Sequence, residues 1–136
     1  MADYHAWART NYFAVKDPDA FRAAMSVFSV EVITTSAGDP PATLYGLLSD
    51  DESGWPTTLY DEVTGDDDYV DFVGMVAEHL AQDHVAIFME SGHEKLRYVA
   101  GFAVAVNSKG ETQRVTLDEI YDPAARLGTV ATRAES

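Results

Sequence analysis

The apolar positions change spacing several times along the chain, and each change predicts an element. Phe21, Ala24, Met25 and Phe28 recur at helical spacing behind Asp17-Pro18, an Asx cap followed by proline at the first helical position. Residues 10–15, the β-branched run 30–35 and residues 43–48 predict strands. Gly38, Pro40 and Pro41 break the chain between the second and third of these. An acidic turn comes next, at 50–54. Residues 55–60 can return as a strand, confined to an edge or an irregular start because Pro56 has no N–H to donate. Residues 61–66 form a loop around Gly65. The clearest helix opens at Asp67 or Asp68 and runs to about residue 82. Tyr69, Phe72, Val73, Val76 and Leu80 are its buried stripe; Asp67, Asp71 and Glu78 lie opposite.

The last third predicts a strand at 84–90, a turn at 91–94 and a long strand at 95–107. Leu96, Tyr98, Ala100, Phe102, Val104 and Val106 share one face of that long strand. Asn107-Ser108-Lys109-Gly110 is a hairpin turn, and residues 113–116 return from it. Thr116-Leu117-Asp118-Glu119 has the form of a capping box for a last helix, broken or restarted at Pro123 and ended by Gly128. Residues 1–9 read as an N-terminal arm and 129–136 as a frayed tail of one domain spanning 1–136. The fold class is α+β, with antiparallel meander sheet and helices on one face. The element order also allows two αβββ units, although no residues match between them.

Composition supports a folded chain. Of 136 residues, 46% are hydrophobic and 11% aromatic, more than a disordered acidic segment carries. There is no cysteine, which excludes disulfides, thiolate metal sites and a cysteine nucleophile. No apolar run approaches the length of a membrane span, and no basic, apolar leader opens the sequence, so a cytoplasmic location is expected.

Charge changes the picture more. The formal net charge is −14, from 23 acids and 9 bases. From Ala23 to Glu94 there is no Lys or Arg, and this stretch of 72 residues holds 15 of the acids. The remainder, with 8 acids and 9 bases, is nearly neutral. The densest part contains Asp50, Asp51, Glu52, Asp61, Glu62, Asp66, Asp67, Asp68 and Asp71, with Glu78 beyond them on the predicted helix. These ten are the candidate partner-binding residues.

Motifs for chemistry are weak. His79 and His84 are five apart, not at the i, i+4 spacing of a zinc pair on one helix. The aspartate runs lack the spacing of a calcium loop. Ser91 and His93 in one turn do not make a triad, and no nucleophile elbow or phosphate loop is present. No cofactor is expected, and a non-enzymatic role is favoured. Chance carboxylate pairs remain, and the sequence singles none out. Direct nucleic-acid binding is disfavoured, because phosphate contact needs Lys and Arg. Membrane binding is not expected either.

Three explanations of the charge compete. It can imitate the phosphate field of DNA and occupy the basic surface of a DNA- or RNA-binding protein, such as a CRISPR or restriction effector. It can be a salt adaptation or general solubilisation of a domain with an unrelated binding or enzymatic role, although such acidity should then be spread evenly. Or it can surround a site with no recognisable motif. The oligomeric state is open, a dimer included.

Three segments bear on the choice: residues 9–17 (Arg9 to Asp17), Gly54-Trp55-Pro56, and residues 88–98 continuing to 105–107. They resemble a family of small, acidic, uncharacterised proteins of bacterial plasmids, phages and conjugative elements. The resemblance implies a mobile-element setting, where inhibitors of host defence occur. It implies no activity and no site residues.

Overall fold

The computed structural model describes residues 4–50, 52–60, 63–94, 98–130 and 132–133. In chain order these form β1 (Tyr4–Thr10), α1 (Pro18–Met25), β2 (Val30–Ala37), β3 (Ala42–Ser49), β4 (Thr58–Tyr60), β5 (Asp67–Tyr69), α2 (Phe72–Ala77), β6 (Val85–Glu94), β7 (Tyr98–Asn107) and β8 (Thr112–Thr116). A 3-10 turn (Leu117–Ile120) then runs into α3 (Tyr121–Ala124). The fold is mixed α+β, as the sequence predicts. Six strands form one sheet in the order β2-β3-β1-β6-β7-β8, every neighbouring pair antiparallel, and β4 and β5 form a separate hairpin.

Several local signals act as read. Asp17 Oδ1 accepts the N–H groups of Asp19 and Ala20 at 3.1 and 3.2 Å, satisfying two donors that the first turn of α1 leaves open. Asn107 Oδ1 accepts from Lys109 and Glu111, each at 3.0 Å, and Gly110 takes φ +83°, so the hairpin closes on side-chain and glycine chemistry together. The Glu119 carboxylate accepts the Thr116 N–H, but Pro123 limits the helical segment to a 3-10 turn and a four-residue helix.

Four readings need correction. The segment from Tyr4 onward, expected as an arm, is β1, an inner strand paired along its whole length with β6. The strand expected at 10–15 is not regular: β1 ends at Thr10, and the side chains of Thr10 and Asn11 take over part of the pairing with the neighbouring strands. Thr10 Oγ1 accepts the Leu47 N–H at 2.8 Å, while Asn11 accepts from Ile87 and donates to the Val85 carbonyl at 2.7 and 3.0 Å. Phe13 and Val15 then make only single bridges, to Tyr45 and Leu80. The helix expected from Asp67 or Asp68 to about residue 82 is a six-residue α2. Asp67–Tyr69 pair with Thr58–Tyr60 instead, and Asp71, not Asp67 or Asp68, caps the helix through Oδ1 to the Gly74 N–H at 3.0 Å. Phe72, Val76 and Leu80 are buried as the stripe requires, but Tyr69 is 82% exposed. Finally, residues 91–94 are strand and not turn: β6 stays in register with β7 as far as Glu94 opposite Tyr98.

β4 comes after α1, β2 and β3 in the expected order but joins the separate hairpin, so the first of the two possible αβββ units puts only two strands into the main sheet.

Alternation along the paired strands gives the sheet two faces. On the inner face, Leu47, Tyr45, Ala86, Phe88 and Val106 meet Phe21 and Met25 of α1 and Phe72, Val76 and Ala77 of α2. Trp55 stacks on Phe72 at 5.8 Å between ring centroids and meets Phe88 edge-on at 5.4 Å, bringing the chain around the β4–β5 hairpin onto this core. The outer face carries Trp7, Arg9, Leu48, Met89, Ser91, Gly101, Ala103 and Val115, and no described helix lies across its centre.

Candidate functional site

The acidic residues sit where the chain leaves regular structure, because turns and caps tolerate solvated charge and the core does not. Asp66 is exposed at the end of the β4–β5 loop, its N–H donating to Thr64 Oγ1 at 3.3 Å. Asp67 and Asp68 lie on β5, opposite Tyr60 and Leu59. Asp68 is exposed, as are Asp71 at the N-cap of α2 and Glu78 at its C-cap. Asp66, Asp67, Asp68 and Asp71 therefore succeed one another on the hairpin and helix that cover the inner face. Glu78 closes the same helix, about 10 Å along its axis at 1.5 Å per residue.

The other acids lie elsewhere. Asp50, just beyond β3, borders the trough on the outer sheet face. Glu52 lies in the turn beside β1, with its Oε2 at 3.2 Å from His5 Nδ1, and its carbonyl accepts the Ala6 N–H. Asp51, Asp61 and Glu62 fall outside the described residues. The structure thus separates the described candidates into a hairpin-and-helix group and a turn group at the end of β3.

Of the described candidates, only Glu52 has an ion-pair partner, His5. Among the described residues, Asp66, Asp68, Asp71 and Glu78 have no cationic partner within ion-pair distance. Along the chain their neighbours belong to the base-free stretch, and Lys16, whose N–H donates to the carbonyl of His79 beside Glu78, forms no described ion pair with these acids. Like charges on a short two-stranded hairpin repel, and only solvent, salt or a cationic partner offsets that repulsion.

Groups that would suggest catalysis have structural duties. His84 Nδ1 accepts the Ala14 N–H at 3.1 Å, which requires that nitrogen to be unprotonated. The His79 ring packs edge-on against Phe21 at 5.8 Å between centroids, and its carbonyl accepts the Lys16 N–H at 2.9 Å. Both histidines fasten the α2–β6 connection to residues 14–16. Glu90, buried on the inner face, accepts the Trp55 N–H on Oε1 at 2.8 Å and holds the 54–55 segment against the sheet. Ser91 and His93 lie on the outer face of β6 in extended backbone, opposite Trp7 and His5. Among the described residues, no three His, Asp or Glu side chains gather to hold a metal ion. No described helix is long and apolar enough to cross a membrane.

Sequence reasoning missed the outer sheet face. Trp7 is 86% exposed there, and Met89 and Val115 are more than half exposed. A signal existed: residues 85–89, Val-Ala-Ile-Phe-Met, are apolar without alternation, the mark of a strand covered on both faces. Trp7 lay in the supposed arm, so its alternation with Ala6 and Ala8 carried no weight.

Searches against protein-family models, curated proteins and solved structures return no match to this chain.

Proposed function

We propose that the chain is a non-enzymatic, acidic DNA mimic. It binds the basic nucleic-acid-binding surface of a partner protein, and the partner class is a host defence enzyme of the CRISPR or restriction type. One observation carries the reading: Asp66, Asp68, Asp71 and Glu78 are exposed on one hairpin and helix, with no cationic partner among the described residues, inside a stretch of 72 residues that contains no base. A basic channel evolved for phosphates supplies the missing cations. Association would be steered by charge and weakened by salt. Resemblance to small acidic proteins of mobile elements supports the partner class by setting alone.

The test is competition. The full chain is mixed with candidate effectors and labelled duplex at low salt, and displacement of the duplex is measured. Displacement is expected, and it should weaken on raising salt. Asp66→Lys, Asp68→Lys and Glu78→Lys, combined, should remove it while the circular dichroism spectrum is retained. Failure to displace DNA from any such effector at low salt overturns the proposal. Displacement that survives the triple reversal assigns the acids to solubility alone.

A further inference from the structure

The outer face of the sheet presents a problem that the acidic surface does not solve. It is the broad, apolar side of a six-stranded sheet, and an exposed patch of that kind marks an interaction surface. We propose that this face is a homodimer interface, in which two copies pack their sheets face to face through Trp7.

Register supplies the first argument. Trp7, Ser91 and Gly101 lie side by side across β1, β6 and β7, a large side chain next to two small ones. Leu117 closes the far end of that row by lying over Gly101. The result is a trough of about 680 Å³, walled by Trp7 on one side and Leu117 on the other. A twofold axis along β6, between the two copies, lays β1 of one over β7 of the other and keeps every residue at its own height. Trp7 then enters the trough of the second copy over Ser91, against the Leu117 that covers Gly101, and the second copy's Trp7 does the same in return. This is the self-complementarity that an isologous contact needs. The next row runs Leu48, Arg9, Met89, Ala103, Val115. The same axis sets Met89 against its own counterpart and Leu48 against Val115. Arg9 does not block the trough: its Nε donates to the Thr10 carbonyl at 3.2 Å and its guanidinium lies 5.9 Å from the centre of the Tyr12 ring.

Charge supplies the second argument. Among the described residues, the Asp, Glu, Lys and Arg side chains at outward positions of the six-stranded sheet are Arg9 and Glu31, with Asp50 at the rim of the trough just beyond β3, in a chain of net charge −14. The acids of the hairpin and α2 lie on the opposite layer. Two copies can therefore meet on this face with most of their like charges pointing apart and Asp50 only at the rim, an approach that the hairpin and α2 side does not permit.

Area supplies the third. Five strands from β3 to β8, at about 4.8 Å spacing and roughly 25 Å mean length, project about 600 Å². Side-chain relief brings the accessible area near the roughly 800 Å² per partner of a standard interface.

Sedimentation velocity on the full chain across micromolar concentrations tests the proposal. The expected species has twice the 14.9 kDa chain mass. Trp7→Ala should weaken association about 30-fold or more, as loss of a central tryptophan anchor does. Because Trp7 is exposed in the single chain, its circular dichroism should be unchanged. Ala103→Arg, which fills the trough from the other side, should give the same monomer. Added salt should strengthen the dimer by screening repulsion between two chains of −14. A native chain that is monomeric throughout, or a Trp7→Ala chain that associates as the native one does, overturns the proposal. Neither result touches the competition experiment, which reads the hairpin acids.

Discussion

Two residues show how closely the packing of this chain depends on single atoms. Gly54 has φ +100°, and a Cβ there would lie 2.1 Å from Glu90 Oε1, the oxygen that accepts the Trp55 N–H. Gly54→Ala should therefore cost at least about 2 kcal/mol, from backbone strain and from displacement of a buried carboxylate. Gly65→Ala is the comparison: φ is +76° but nothing lies within 4 Å of the added carbon, so only about 1 kcal/mol should be lost. Urea denaturation midpoints of the two variants separate the steric effect from the conformational one. Thr10 is the second case. It is buried, and its hydroxyl oxygen accepts the Leu47 N–H between β1 and β3. Thr10→Val keeps the shape and orphans that N–H, so about 1–3 kcal/mol of stability should disappear, read from the same denaturation curves. No sequence pattern announces either residue, because both act on partners tens of positions away.

At the scale of elements, the short-range signals were legible and the long-range choices were not. Asp17-Pro18 and Asn107 to Gly110 behave as read, since a cap or tight turn is completed by atoms within four residues. Over residues 67–82 the sequence predicts too long a helix, because Asp66, Asp67, Asp68 and Asp71 all qualify as helix caps by chemistry. Pairing with Thr58–Tyr60 decided which one serves. That pairing also places Asp66 and Asp68 on an exposed hairpin and not on the first turn of a helix. Exposed charges without partners contribute little to stability, so Asp66→Lys with Asp68→Lys should change the unfolding free energy by no more than about 0.5 kcal/mol. Thermal melts check this, and an unchanged fold makes any loss of partner binding a statement about charge.

At the scale of the whole molecule, the sheet separates two surfaces of opposite character. Acids gather on the hairpin and α2 over one side, and apolar side chains gather around Trp7 on the other. Their responses to ionic strength should have opposite sign. Under the proposed function, binding of a basic partner should weaken as salt rises from roughly 0.05 to 0.5 M, because the attraction would be screened. The proposed face-to-face association should strengthen over the same range, because only repulsion would be screened and apolar burial would not. Titrations of partner affinity and of dimer mass against salt, on the same preparation, should give slopes of opposite sign.

The sequence by itself determined the class of fold, the inner apolar face of α1 and, from Phe72 on, of α2, the hairpin turn at Asn107 to Gly110 and the confinement of charge to one base-free stretch. All of these come from composition and from periodicity over a few residues, and so survive without knowledge of neighbours. Tertiary structure decided the rest. It turned the supposed arm into an inner strand, shortened α2, and divided the candidate acids between two places. It also exposed Trp7 beside Ser91 and Gly101, three residues adjacent only through strand register. Strand pairing joins positions that are tens of residues apart, and a slip of one residue reverses which side chains face the core. Which charges share a surface, and which apolar groups are left without cover, are set by that pairing alone.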